Sequence, residues 1–273
     1  MVKRYVHGYD VRESQRLQDQ AGTLVELLHS DTQYPTGSLV LEAGCGIGAQ
    51  TITLALNSPQ AQIVSIDVSE ASIHQASIAA QKAGIHNVTF RQADIFDLPF
   101  APQSFDHVFV CFVLEHLPHP VQALQALKAA LKPNGTITVI EGDHGSTYFH
   151  PDSDYARRAV QCQVELQKMA DGNALIGRAL YPLLVEAGFR TPFVTPRIVY
   201  VDSSKPNWVD GFTKKTFTAM IEGVRAPALD AGLMSVRDFD RGIADLYRTA
   251  EADGVFCYTF FKATANNTLA PDR

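Results

Sequence analysis

Glu42, Gly44, Gly46 and Gly48 stand at alternate positions in the run SLVLEAGCGIGAQ, residues 38–50. Leu39, Val40 and Leu41 before them read as a strand, and TITLAL behind them returns apolar residues at helical spacing, so the glycines mark a strand-to-helix turn. Such a turn suits a ligand. Glycine tolerates positive φ and carries no Cβ to hold a ligand off the backbone, while the helix beyond offers unpaired N–H groups. Gly44, Gly46 and Ala49 also satisfy the dinucleotide spacing G-x-G-x-x-G/A, with Asp67 about 20 residues beyond, which keeps an NAD-dependent oxidoreductase open. Glu42 weighs against that reading, as does the lack of a second mononucleotide half. A carboxylate two residues before the first glycine would repel a pyrophosphate and would suit a cationic ligand.

Further groups with chemistry follow at the ends of later strands. Asp67 ends AQIVSIDVS, Asp94 and Ile95 follow NVTFRQ, and SFDHVFVCFVLEHLPHP carries Cys111, Phe112, Glu115, His116 and His119. The order of Glu115, His116 and His119 is not H-E-x-x-H and no third ligand accompanies them, so no metal is expected. After the strand KPNGTITVIE comes GDHGSTYFHPDS, read as a loop at a carboxyl edge, with Asp143, His144, Tyr148 and His150 as acceptor-pocket candidates. His144 and His116 are the first candidates for a general base, with His150 and Asp143 next.

The E-x-G-x-G-x-G turn, Asp67, the ADIF stretch, VLEHL and KPNGTITVIE together resemble the class I S-adenosylmethionine-dependent methyltransferases. The likeness is to the ubiquinone and menaquinone biosynthesis enzymes and their small-molecule relatives, and it covers residues 11–189. The resemblance implies S-adenosylmethionine as cofactor and in-line attack of an acceptor nitrogen, oxygen or carbon on the sulfonium methyl. It places Glu42, Ala43, Gly44 and Gly46 at the methionine portion. Asp67 with Val68 falls at the ribose, Asp94 with Ile95 at the adenine, and Cys111 with Phe112 beneath the sulfonium. Arg16 and Gln20, one turn apart on an N-terminal helix, would reach the methionine carboxylate. A SAM-binding partner or regulatory protein without turnover shares these features and stays open.

The elements that must position these groups are those of an α/β chain. Apolar Leu17, Ala21, Leu24, Leu27 and Leu28 give a first helix over residues 11–29. Strands separated by helices then imply a parallel sheet, with strand five at residues 136–141 and helices at 155–169 and 173–189. Residues 190–202 read as strand six and 254–264 as the last strand. The resemblance implies a Rossmann-like, seven-stranded, mostly parallel sheet with an antiparallel last strand, forming a single domain with its core at residues 38–201. Between the last two strands lie about fifty residues, 203–253, of helical periodicity where a short turn would suffice. They are expected to form a lid carrying Trp208, Phe212, Phe217, Met220 and Arg225 toward the acceptor.

Composition bounds the rest. The 273 residues are 46% hydrophobic and 19% charged with a net charge of −6, without the basic surplus expected of a nucleic-acid binder. The four cysteines are scattered, with no C-x-x-C pair and no disulfide framework. No apolar run reaches the ~20 residues of a membrane span and the N-terminus lacks a signal-peptide core, so a cytoplasmic protein with a small-molecule partner is expected. A homo-oligomer is left open, and ANNTLAPDR at the end reads as loose.

Overall fold

A computed structural model describes the backbone of residues 11–268. Seven strands form one sheet in the order β3-β2-β1-β4-β5-β7-β6. The strands are β1 Leu39–Ala43, β2 Gln62–Asp67, β3 Val88–Gln92, β4 Phe105–Cys111, β5 Leu131–His150, β6 Arg190–Asp202 and β7 Val255–Asn266. β1 lies inside the sheet, next to the central β4, and its apolar run is covered on both faces. Leu41 pairs with Val64 on one side and Val108 on the other, both parallel. β7 alone runs antiparallel, wedged between β5 and β6, and Pro192 and Pro196 are tolerated because β6 is an edge strand.

Helices α2 Thr51–Asn57, α3 Glu70–Lys82, α4 Pro120–Ala130 and α6 Leu180–Glu186 flank the sheet, with α1 Val11–His29 and α5 Asp154–Met169 beside them. Ser69 and Ser153 cap α3 and α5 by accepting from the backbone N–H three residues on. α6 is shorter than the periodicity suggests, being preceded by a tight turn at Ile176–Ala179. Gly188 closes it at φ +85°, with Phe189 N–H donating to Leu184 C=O. Leu24 and Leu28 of α1 are buried as expected, whereas the side chains of Leu17 and Ala21 lie outside the described residues. The end of α1 is held by a buried lysine. Lys262 of β7 donates from Nζ to Leu28 C=O (3.1 Å), Thr32 Oγ1 (2.5 Å) and Asp31 Oδ1 (2.5 Å), a cation on the negative end of a helix.

The chain departs from expectation at β5 and at its end. β5 continues to His150 where a loop after Glu141 was expected, because β7 is long enough to template it: beyond a register shift, Tyr148 to His150 pair with Cys257 to Val255. Asn267 is anchored, with Nδ2 donating to Leu131 C=O (2.9 Å) and Lys132 C=O (3.1 Å). Residues 269–273 lie outside those described.

The stretch between β6 and β7 is mainly helical: α7 Pro206–Trp208, a π-wound helix Val209–Thr218, α8 Ala219–Gly223, α9 Arg225–Asp230 and α10 Val236–Arg248. It is rooted in the main core, since Phe212, Phe217, Ile221, Phe239 and Leu246 are buried with Leu24, Phe109 and Phe256. Two glycines allow the approach. A Cβ at Gly211 would lie 2.2 Å from Thr23 Oγ1 of α1, and one at Gly242 would lie 2.5 Å from Tyr155 C=O of α5.

Candidate cofactor and acceptor site

A cavity of about 900 Å³ opens at the carboxyl ends of β1, β2 and β4, the crevice where open α/β sheets take ligands. Its first half is mainly backbone. Gly44, Gly46 and Gly48 hold φ of +78°, +52° and +81°. The Gly44 and Cys45 N–H groups both donate to Ile66 C=O (2.8 and 2.9 Å), so the turn is tied to the end of β2. Gly46 N–H donates to Asp67 Oδ2 (2.9 Å), and Asp67 Oδ1 accepts from Ser69 N–H (2.9 Å). A carboxylate has about four acceptor positions, so Asp67 retains capacity for a ligand.

Glu42 lies beneath this turn and is 2% exposed. Its Oε2 accepts from Thr51 Oγ1 (2.7 Å) and Ser65 Oγ (2.6 Å). Burial pushes its carboxyl up to about 7, against the two hydroxyls and with the help of the Asp67 charge. Across the cavity, buried Arg16 donates from Nη1 to Gln20 Oε1 (3.1 Å). Gln50 of the glycine turn meets His29 of α1 at 2.8 Å, and burial brings His29 down to about 4, which keeps it neutral near pH 7.

The other half is aromatic with a polar seam. Phe112 holds φ +58°, uncommon for a residue with a side chain. Just beyond it, Val113 and Leu114 N–H donate to Glu141 Oε1 (3.0 and 2.7 Å). Glu141 is fully buried, and burial raises its carboxyl well above the usual range. Gln167 of α5 donates from Nε2 to Glu115 C=O (2.9 Å) and Oε2 (3.1 Å), and lies 3.4 Å from His116 Nδ1. Glu115 Oε2 is 3.9 Å from His144 Nε2, and the Tyr258 hydroxyl is 3.0 Å from His144 Nδ1. Phe212, Phe217, Met220 and Phe260 form the apolar wall.

A model of the methyltransferase-domain family matches residues 36–188, more than half of the chain. The chain belongs to the class I S-adenosylmethionine-dependent methyltransferases. A relative is the uncharacterized 37.1 kDa protein of transposon TN4556 from Streptomyces fradiae, 32% identical over 71% of this chain and 55% of that protein. The demethylmenaquinone methyltransferase of Listeria welshimeri is 30% identical over 38% of this chain and 45% of its own. The chain thus spans about half the length of these curated relatives. Among solved structures, the Haemonchus contortus phosphoethanolamine N-methyltransferase 2 with phosphomonomethylethanolamine and S-adenosylhomocysteine shares the fold at 16% identity. Its TM-score is 0.56 over 92% of this chain and 53% of that one.

The first half of the cavity fits the cofactor of this methyltransferase family. A Cβ built on Gly46 meets nothing within 4 Å, so the glycine leaves open cavity where any side chain would intrude. The acceptor groups beside it are acidic, Glu42 and Asp67, which suits a ligand carrying sulfonium and ammonium charge.

Of the candidates from the sequence, Arg16, Gln20, Glu42, Gly44, Gly46, Asp67, Val68, Asp94, Ile95, Cys111, Phe112, His116, His144, Phe212, Phe217 and Met220 line the cavity. Others lie elsewhere. Ala43 is buried below the turn. Asp143 is on the opposite face of β5 from Gly142 and His144, since neighbours on a strand alternate, and it holds Arg178 through two 2.7 Å bonds. Tyr148 is 69% exposed and His150 is exposed, both drawn onto the β7 ladder. Trp208 is half-buried under Lys205, and Arg225 is paired on the surface with Asp240 at 2.6 and 2.9 Å. Sequence reasoning missed Tyr258, Phe260, Gln167 and Gln50. A signal existed for Tyr258: the hydroxyl in VFCYTFF must find a partner once its strand is buried. Among the described residues no group of three or more His, Cys, Asp or Glu is placed to hold a metal, and no helix is long and apolar enough to cross a membrane.

Proposed function

We propose that the chain transfers the S-adenosylmethionine methyl group to a nucleophilic atom of a small, largely apolar acceptor seated against the aromatic wall. The observation that carries this reading is the continuity of one cavity, from the glycine turn and Asp67 at one end to Phe212, Phe217 and Tyr258 at the other. The cofactor supplies an electrophilic methyl on a sulfonium, so the chain's residues chiefly bind, orient and exclude water. Asp67 offers its remaining acceptor positions to the ribose hydroxyls, Asp94 and the Ile95 N–H serve the adenine, and Arg16 with Gln20 holds the carboxylate. Cys111 and Phe112 face the methionine portion. The Listeria relative is named for demethylmenaquinone, which makes a quinone-type acceptor one case to test.

Calorimetry tests the first step. S-adenosylmethionine and S-adenosylhomocysteine should bind and NADH should not. Formation of S-adenosylhomocysteine on adding hydroxyarenes, amines or quinols tests the second. Tight NADH binding without S-adenosylmethionine binding would overturn the reading.

A further inference from the structure

We infer that Tyr258 and His144 form a proton relay for an acceptor bearing a phenol-type hydroxyl, with Glu115 as the positioning residue behind them. The inference rests on the methyl-transfer reading above and names its acceptor class. Both side chains line the cavity, at 2% and 7% exposed. The imidazole has a hydrogen-bond partner on one side and a carboxylate near the other: Nδ1 lies 3.0 Å from the Tyr258 hydroxyl and Nε2 lies 3.9 Å from Glu115 Oε2. Glu115 is in turn fastened by Gln167. With the proton on Nε2, toward the carboxylate, Nδ1 is free to accept from tyrosine.

The chain also reserves room for this hydroxyl. A Cβ at Gly142, another residue of the cavity wall, would lie 2.4 Å from the Tyr258 oxygen, so any other residue there would displace it. Around Tyr258 the wall is aromatic, with ring centroids of Phe260, Phe217 and Phe212 at 4.7, 5.5 and 5.9 Å. Flat, apolar surfaces bordered by a polar seam, with the Tyr258 hydroxyl where the two meet, suit a ring bearing a hydroxyl. A neutral amine needs no base before it attacks, whereas a phenol must lose a proton.

Burial sets the resting state. It pushes the Tyr258 hydroxyl well above its usual range and lowers the His144 imidazole, so both are neutral near pH 7 and able to pass a proton. His144 lies within the fields of Glu115 and His116 from the segment after β4, of Arg16 from α1 and of Asp143 on the far face of its own strand, and meets the apolar Phe217 of the π-wound helix. The two carboxylates favour the imidazolium once a proton arrives, while Arg16 and His116 oppose it. In the step itself the acceptor O–H bond breaks and its proton goes to the Tyr258 oxygen, as the tyrosine's own proton passes to His144 Nδ1. The freed oxygen pair takes the methyl carbon while the sulfur–carbon pair stays on sulfur. The balance is a methyl ether, a neutral thioether and one imidazolium.

4-Nitrophenol is a probe whose ionised form absorbs separately from the neutral one. It is titrated into the protein saturated with S-adenosylhomocysteine, at a pH below the probe's own pKa. The bound probe should show the phenolate band. Tyr258→Phe and His144→Gln should each lower the phenolate fraction at least tenfold while S-adenosylhomocysteine affinity stays within twofold, which also reports that the variants fold. Glu115→Gln should move the band's midpoint to higher pH, since an imidazolium without its carboxylate forms less readily. A neutral bound probe, no probe binding, or an unchanged band in both Tyr258→Phe and His144→Gln overturns the relay. Failure of the wild-type protein to bind S-adenosylhomocysteine would instead overturn the methyltransferase reading beneath it.

Discussion

The two halves of the cavity are made from different kinds of chain. The half at the glycine turn comes largely from consecutive βα units, with Glu42, Gly44, Gly46, Asp67 and Asp94 each at or just beyond a strand end. The aromatic half takes Phe112 and Glu115 after β4, His144 from β5, Gln167 from α5, Phe212 and Phe217 from the π-wound helix and Tyr258 from β7. In the first half the wall is largely the turn's backbone with a few polar side chains, so a change there should act on the ligand more than on the fold. In the second the wall is also the core, so function and stability are coupled.

Phe212→Ala probes that coupling and has the largest expected effect. Phe212 is 1% exposed, and its ring lies about 6 Å from those of Phe256, Tyr258 and Phe260. Truncation of such a residue costs about 3–5 kcal/mol, so thermal or urea melting should show a fall of that size before any acceptor is added. A loss below about 1 kcal/mol, with acceptor KM raised, would mark it as a lid residue instead. Trp208→Ala should do neither, because Trp208 is half-buried outside the cavity.

Gly46→Val is the counterpart in the first half. The side chain would enter open cavity, and its φ of +52° adds strain of about 1–2 kcal/mol. Calorimetry should show loss of S-adenosylmethionine binding by at least ~100-fold, equivalent to about 2.7 kcal/mol, with a far smaller shift in melting temperature than Phe212→Ala gives. Retained binding would mean that the ligand does not approach this backbone.

The contrast also explains what could be read in advance. A strand, a glycine turn and an acid are neighbours in sequence, so their type and spacing carry the site. β6 was legible too, as residues 190–202, because its alternation is bounded by turns on both sides. Nothing local links Tyr258 to His144, which meet because β5 and β7 are paired. Nor could the sequence show that β5 would run on past Glu141, since GDHGSTYFH is polar enough for a loop and becomes strand only against β7. Asp143 and His144 are adjacent and both qualify for the acceptor pocket, with His144 ahead as a base. Strand alternation sends one to Arg178 and the other into the cavity.

Asp67→Ala sharpens the first half further. The ordered turn uses both carboxylate oxygens, on Gly46 and Ser69 N–H, so stability should fall by about 1 kcal/mol. If the remaining acceptor positions bind the ribose, cofactor affinity should fall by more, about 1.5–3 kcal/mol. Equal affinity with a lowered melting temperature would make Asp67 a brace for the turn alone.

The smallest effect expected is a proton. Burial raises the Glu42 carboxyl from 4.5 to about 7, so between those values the folded chain binds more protons than the unfolded one. Glu42 therefore lowers stability progressively as pH rises from 4.5 to about 7, and adds no further pH dependence above that. A cation in the cavity favours the carboxylate and lowers this pKa, which releases a proton on binding. Affinity for S-adenosylmethionine should then rise with pH up to about 7 and level off. S-adenosylhomocysteine shares the amino-acid end but lacks the sulfonium charge, so subtracting its proton release isolates the effect of that charge. Calorimetry near pH ~6.5 in buffers of different ionisation enthalpy should show more protons released by S-adenosylmethionine, a fraction of one per site. Glu42→Gln should erase the difference. Equal release by both ligands, or a difference that persists in Glu42→Gln, would remove Glu42 from the binding of the sulfonium and leave it as a buried brace on Thr51 and Ser65.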